Sequence, residues 1–153
     1  MKDKNWIEIV KKQTELRHFG SMAIRKAQKG EHISAQEIDL LFRAAYAGEA
    51  VTPGQLAVAM GVRKTVISRL VEQLAAKQYI EKKPVKTDRR SYELHVTEEG
   101  KREIDRMYHY YLNPLYVLKE GMGEERFEEL FELILEANRI LAGEQTKEKE
   151  RIR

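Results

Sequence analysis

The sequence predicts a mainly α-helical protein carrying one small β-hairpin. Apolar residues recur at three- and four-residue spacing over most of the 153 residues. The period drops to two between Tyr79 and Val96, where Tyr92, Leu94 and Val96 alternate with Ser91, Glu93 and His95, as in a half-buried antiparallel strand. With 35% charged and 42% hydrophobic residues, the chain can fill one core and keep a heavily solvated surface.

Residues 5–28 read as a first helix, with Trp6, Ile9, Val10, Leu16, Phe19, Met22 and Ala23 at three- and four-residue spacing and Lys29-Gly30 as its stop. Ser34 and Glu37 stand three apart, as a capping box requires, and open a second helix whose apolar face is Ile38, Leu41, Phe42 and Ala45. It ends near Gly48, and Glu49-Ala50-Val51 leaves room only for a stub of strand. Thr52, Pro53 and Gln55 then give a cap, a first-position proline and a third-position glutamine. That short helix stops at Gly61, where glycine turns left-handed at little cost. The next helix is expected over Arg63–Lys77, with Val66, Leu70, Val71 and Leu74 inward.

The loop joining the two hairpin strands, Pro84–Arg90, is polar and long, and is expected to project. Thr97 caps a long helix reaching about residue 120, with Ile104, Met107, Tyr108, Tyr111 and Leu115 on its apolar side. Pro114 should kink or split it. Gly121-Met122-Gly123 precedes a last helix bearing Phe127, Leu130, Phe131, Ile134 and Leu141, and the charge-dense tail, residues 144–153, is expected to fray.

Composition removes several function classes. There is no cysteine, so disulfides, thiolate metal sites and thiol-based redox sensing are excluded and a reducing interior is the natural setting. Met1–Val10 lacks the apolar core of a signal peptide, and no apolar run is long enough to cross a bilayer. A cytoplasmic protein with no membrane partner is expected. No phosphate-cradling glycine loop, nucleophile motif or zinc-hydrolase motif occurs, so catalysis is not expected, and no cofactor. The four histidines, 18, 32, 95 and 109, form no metal-binding pair, so no metal is expected either.

The net charge of +3 is modest, but its distribution is not even. Between Pro53 and Thr97 nine Lys/Arg face four Asp/Glu, a balance of +5 that leaves −2 for the rest. A concentrated positive module suits a polyanion. Within it, Ala57 is small enough for two helices to cross, Gly61 makes the turn, and Ile67 and Leu70 anchor the second helix. This is the pattern of a helix-turn-helix, which sets its second helix in the DNA major groove. Arg63, Lys64, Thr65, Ser68 and Arg69 then lie outward or toward the groove, with Thr65, Ser68, Arg69 and Lys64 as base readers. Lys82, Lys83, Lys86 and Arg89 are the candidate phosphate contacts on the hairpin. Arg90 is the candidate for insertion into the adjacent minor groove, where arginine is favoured. Asp88, a carboxylate on a DNA-facing tip, either pairs with Arg90 and fixes its direction, the favoured reading, or helps to form the loop.

These residues resemble the MarR family (multiple-antibiotic-resistance regulators) of bacterial winged helix-turn-helix transcription factors. The similarity covers almost the whole chain. It centres on Leu56-Ala57, Gly61-Val62, Val66 to Val71, Leu74 and Tyr79 to Pro84, with Asp88-Arg89-Arg90-Ser91 through Val96 to Gly100 as the wing and its exit. The resemblance implies a winged helix-turn-helix DNA-binding region over residues 34–100 and a helical dimerisation region over residues 1–30 and 101–143. It also implies a homodimer on double-stranded DNA with an inverted-repeat operator, usually a repressor released by a small-molecule effector. Arg17, Arg43, Tyr46, Tyr108 and Tyr111 are the side chains that could line a cleft for a small aromatic or acidic effector. Two positions depart from the family pattern: Arg63 stands where a serine commonly opens the recognition helix, and Gln78 where a glycine usually ends it. The alternative from a different class is a winged-helix docking module whose basic face meets an acidic protein, without specific DNA binding.

Overall fold

The computed structural model describes residues 3–26 and 32–151. The elements run α1 (Trp6–Ala23), α2 (Ala35–Tyr46), α3 (Pro53–Met60), α4 (Lys64–Ala76), β1 (Ile80–Val85), β2 (Asp88–Val96), α5 (Glu98–Met122) and α6 (Glu124–Arg151). The chain divides into two compact units, Met1–Leu112 and Asn113–Arg153.

In the first unit both expected capping boxes form. The Ser34 hydroxyl accepts the Glu37 N–H, and the Glu37 carboxylate accepts the Ser34 N–H at 2.7 Å. Thr52 and Gln55 repeat the exchange at the start of α3. Each box satisfies two otherwise orphaned donors. Gly61 closes α3 in the left-handed conformation at φ 64°, and the Val62 N–H reaches the Ala57 carbonyl at 3.1 Å.

The core runs from Ile33 to Met107. Leu40 and Leu41 of α2, Leu56 of α3, Ile67, Leu70, Val71 and Leu74 of α4, and Leu94 of β2 carry it, with Ile104 and Met107 of α5 joining. Ile67, rather than Val66, is the fully buried residue of its turn, and Val66 is half-buried. The hairpin is a two-stranded antiparallel sheet with Ile80 opposite Val96 and Lys82 opposite Leu94. Val51 supplies the stub of strand, its carbonyl accepting the Leu94 N–H at 2.8 Å.

Four expectations are corrected. The first helix ends at Ala23 rather than 28, with Ile24 extended, and Lys29-Gly30 lies outside the described residues. The wing has no long loop: its strands reach Val85 and Asp88, joined by Lys86-Thr87. An irregularity between Pro84 and Val85 absorbs the surplus, since their partners are Tyr92 and Asp88; bulges take up extra residues in this way. Of the two outcomes expected at Pro114, the split does not occur: α5 runs unbroken from Glu98 to Met122, one forgone hydrogen bond leaving the helix continuous. The last helix continues to Arg151 instead of fraying from Glu144. No proline or glycine follows Gly143, and pairs such as Lys147 with Glu144 (2.9 Å) hold successive turns.

In the second unit, Gly123 takes φ 84°, and its N–H closes on the Lys119 carbonyl at 3.0 Å. Phe127 and Phe131 meet one turn apart on α6, with ring centroids 4.8 Å apart and planes tilted by 48°.

Candidate nucleic-acid interface

The outward face of α4 is set by what its inward face must bury. Ile67, Leu70, Val71 and Leu74 are all in the core, so helical spacing turns Thr65, Ser68, Arg69 and Glu72 outward together, at positions i, i+3, i+4 and i+7. All four are exposed, as are Arg63 and Lys64. Arg63 occupies the N-cap with extended backbone, and no side-chain hydrogen bond caps the helix there. The first turn of α4 holds no acidic residue, so its positive dipole end lies beside the cations of Arg63 and Lys64.

Sequence reasoning missed Glu72, which places a carboxylate on the proposed reading face. The fold answers it with Lys82 of β1, whose ammonium forms an ion pair with Glu72 and lies 5.3 Å above the Tyr92 ring. Seven-residue spacing from Thr65 was the available signal for Glu72. Lys82 therefore joins the wing to α4 through an exposed ion pair. Pairing Lys82 with Leu94 and Lys83 with Glu93 also turns the two lysines to opposite faces of the hairpin. Lys83 and Lys86 are exposed.

At the wing tip the Asp88 carboxylate accepts the main-chain N–H of Arg90 at 2.9 Å. Asp88 thus acts on the backbone, in the manner of an Asx turn. Among the described residues it forms no ion pair with the Arg90 guanidinium, so the favoured sequence expectation of a side-chain pair gives way to the loop-forming one. The effect still favours direction, since the Arg90 main chain is pinned at the tip and its side chain is exposed. The Arg89 side chain lies outside the described part of the structure.

Behind the wing, the junction with α4 and α5 is tightly built. Gln78 takes φ 64°, the one non-glycine in the left-handed region among the described residues. This is the turn for which the resemblance leads one to expect glycine. The Tyr79 carbonyl accepts the Thr97 N–H at 3.0 Å, and a Cβ on Gly100 would lie 2.2 Å from that same carbonyl oxygen.

Of the five side chains considered for an effector cleft, Arg17 is exposed on α1, and two share a groove. Arg43 and Tyr46 line a groove of about 330 Å³ between α2 and α3, with Ala47, Val51, Gln55, Leu56 and Ala59. Tyr111 instead packs against the core, and Tyr108 lies beside His109, ring centroids 4.2 Å apart.

The MarR family model matches residues 33–91, from the start of α2 into the wing. A curated relative, the uncharacterized HTH-type transcriptional regulator YdgG of Bacillus subtilis (strain 168), is 30% identical over 105 residues, covering 67% of this chain and 68% of YdgG. The chain belongs to the MarR family. Its members are transcriptional regulators, not enzymes. Solved MarR structures share the fold. AbsC, a MarR family transcriptional regulator from Streptomyces coelicolor, superposes with a TM-score of 0.73 at 14% identity, covering 94% of this chain and 97% of AbsC. A mutant MarR from E. coli, complexed with operator DNA, gives 0.66 at 17% identity over 89% of this chain and 99% of that one. Among the described residues no helix is long and apolar enough to cross a membrane.

Proposed function

We propose that this MarR-family regulator binds an inverted-repeat operator as a homodimer, α4 entering the major groove and the wing lying over the adjacent minor groove. Thr65, Ser68, Arg69 and Lys64 read bases, Arg90 enters the minor groove, and Arg63, Lys83, Lys86 and Arg89 meet phosphates. Lys82 belongs to the same surface, with its charge shared with Glu72. The observation that carries the reading is the single outward face of α4 bearing Thr65, Ser68 and Arg69, beside a hairpin whose tip pins the Arg90 main chain. The solved relative bound to operator DNA has the same fold, which supports it.

Dimerisation finds support in helices that lack cover. No residue of α1 is buried, and Trp6, Ile9, Val10, Leu16 and Met22 all face solvent, Leu16 at 69% exposure. α6 likewise has no buried residue and exposes Leu133, Ile140 and Leu141. Exposed apolar side chains in this number call for a partner, and two recognition helices on a twofold address half-sites about 34 Å apart. Repression lifted by a small-molecule effector is what the family resemblance implies, and the sequence leads one to expect the cytoplasm; Arg43, paired with Asp39 at 2.8 Å, and Tyr46 line a groove whose chemistry suits a small aromatic or acidic effector.

Selection of bound duplexes from a random pool tests the reading, followed by mobility shifts across salt. The expected result is a twofold-symmetric motif and a log affinity that falls linearly with log salt. No enriched motif and a flat salt plot would overturn it, and would favour docking of the basic face on an acidic protein.

A further inference from the structure

Among the described residues, Glu37 is the one buried charged side chain, 4% exposed within an otherwise apolar core. Its two oxygens serve different helices. Oε2 accepts the Ser34 N–H at the start of α2, and Oε1 accepts from Lys77 Nζ at 2.5 Å. Lys77 is the C-cap of α4 and lies 40 positions away in sequence. One residue earlier on α2, Gln36 Oε1 accepts from the Arg69 guanidinium at 3.5 Å. The first turn of α2 therefore grips α4 at two points eight residues apart, roughly 12 Å along its axis.

A buried carboxylate is costly unless paired and hydrogen-bonded, and a neutral pair of similar volume often packs as well or better. Stability alone is therefore a weak reason for this pair to be here. Geometry is a better one. A helix held only by leucines and isoleucines can roll, and displacement by one residue's step turns its face by about 100°. A charged clip at the C-cap resists that roll, while the exposed Arg69–Gln36 contact, at 3.5 Å, is long enough for Arg69 to exchange it for a base.

We infer that Glu37 and Lys77 are positioning residues that fix the rotation of α4, and so determine which side chains of its outward face meet the bases. This rests on the reading of α4 as the recognition helix. The pair itself touches no DNA: it sets selectivity, not attraction, because the phosphate-facing cations are elsewhere.

The test uses the full chain and two duplexes of equal length, the motif recovered by selection and a scrambled version, with affinities measured at fixed salt. The double variant Glu37→Gln/Lys77→Met keeps an acceptor for the Ser34 N–H and removes both charges, so it is expected to melt close to the wild type. Its preference for the motif should fall about tenfold or more, out of the thousandfold or greater preference usual for such proteins, while its affinity for the scrambled duplex changes by less than about twofold. Lys77→Arg, which preserves the pair, should restore most of the preference. If the double variant melts early, both affinities are measured at a temperature below its transition, where it is folded. A wild-type preference that survives in the folded variant overturns the positioning role alone. A wild type with no preference for any duplex overturns recognition by α4, and this inference with it.

Discussion

The Thr97 hydroxyl donates to the Gln78 carbonyl at 2.6 Å and accepts the Gly100 N–H at 3.0 Å. One side chain thus caps α5 and clamps the left-handed turn that ends the recognition helix. The clamp explains how a glutamine is held at φ 64°, a conformation that costs a residue with a Cβ about 1–2 kcal/mol. The Gln78 side chain is exposed, and the bond to Thr97 uses only its main chain. Gln78→Gly should therefore relieve the strain without losing a contact. After the greater entropy of glycine in the unfolded chain, about 0.5–1 kcal/mol, a net gain of about 0.5 kcal/mol is expected, read as a higher urea midpoint. A lower midpoint would show that Gln78 makes an interaction worth more than the strain.

Gly100 presents the opposite case, a glycine required by space. A Cβ there would meet the Tyr79 carbonyl oxygen at 2.2 Å and Val96 Cγ1 at 2.9 Å. The Tyr79 oxygen cannot retreat without disturbing its bond from the Thr97 N–H. Gly100→Ala should destabilise by about 1–3 kcal/mol, the usual range for overpacking, seen as an earlier thermal transition. An unchanged transition would mean that the start of α5 can shift freely.

How much of this was legible in the sequence depended on whether the signal was local. Ser34 with Glu37, Thr52 with Gln55, and Gly61 could be read directly because caps and turns act over three or four residues, and each formed as expected. Thr97 was legible as a cap, but its bond to Gln78, 19 positions away, was not. The same limit hid the pairs Glu37 with Lys77 and Glu72 with Lys82, which only the packing of α2, α4 and β1 brings together. The wing differs for another reason: polar side chains from Pro84 to Arg90 read as loop, yet they are equally at home on the exposed strands of a hairpin whose bulge takes up the extra residues.

Glu37 also gives the stability a pH dependence with a definite sign. Burial alone would raise its pKa, but the hydrogen bonds from Lys77 and Ser34 and the charge of Lys77 outweigh that and hold it below the ordinary 4.5. A depressed carboxyl contributes stability that is fully present above the unfolded value and is lost as pH falls through the folded one. Wild type should thus lose stability below about pH 4.5 more steeply than Glu37→Gln, whose amide does not titrate there. Parallel acid-unfolding curves, followed by circular dichroism, would remove Glu37 as a source.

Arg63 should trade stability for binding. It sits at the N-cap of α4 with φ −74° and ψ 153°, a cap geometry, yet supplies no capping bond. Arg63→Ser should add about 1 kcal/mol of stability, typical of a gained cap, and remove a cation from the groove end of the helix. Operator affinity should fall, with the salt slope shallower by about 1. The two effects have opposite signs, so a melt and a salt titration on the same variant separate them. Tighter operator binding would show that the ordered cap matters more than the charge.

The wing tip allows charge and shape to be separated at Asp88. Its carboxylate accepts the Arg90 N–H at 2.9 Å, a task that an asparagine oxygen performs equally well. Arg90→Ala removes the group proposed for the minor groove, and operator affinity should fall about tenfold or more, the loss expected for a directly engaged arginine. Asp88→Ala frees the main chain and leaves Arg90 intact, so the loss should be smaller. Asp88→Asn keeps the acceptor and removes a negative charge facing phosphate, so it should bind at least as tightly as wild type, most visibly at low salt. Mobility shifts on the selected duplex order the three variants. Should Asp88→Asn weaken binding as much as Asp88→Ala, the carboxylate charge matters, and Asp88 must meet the Arg90 guanidinium once DNA is bound.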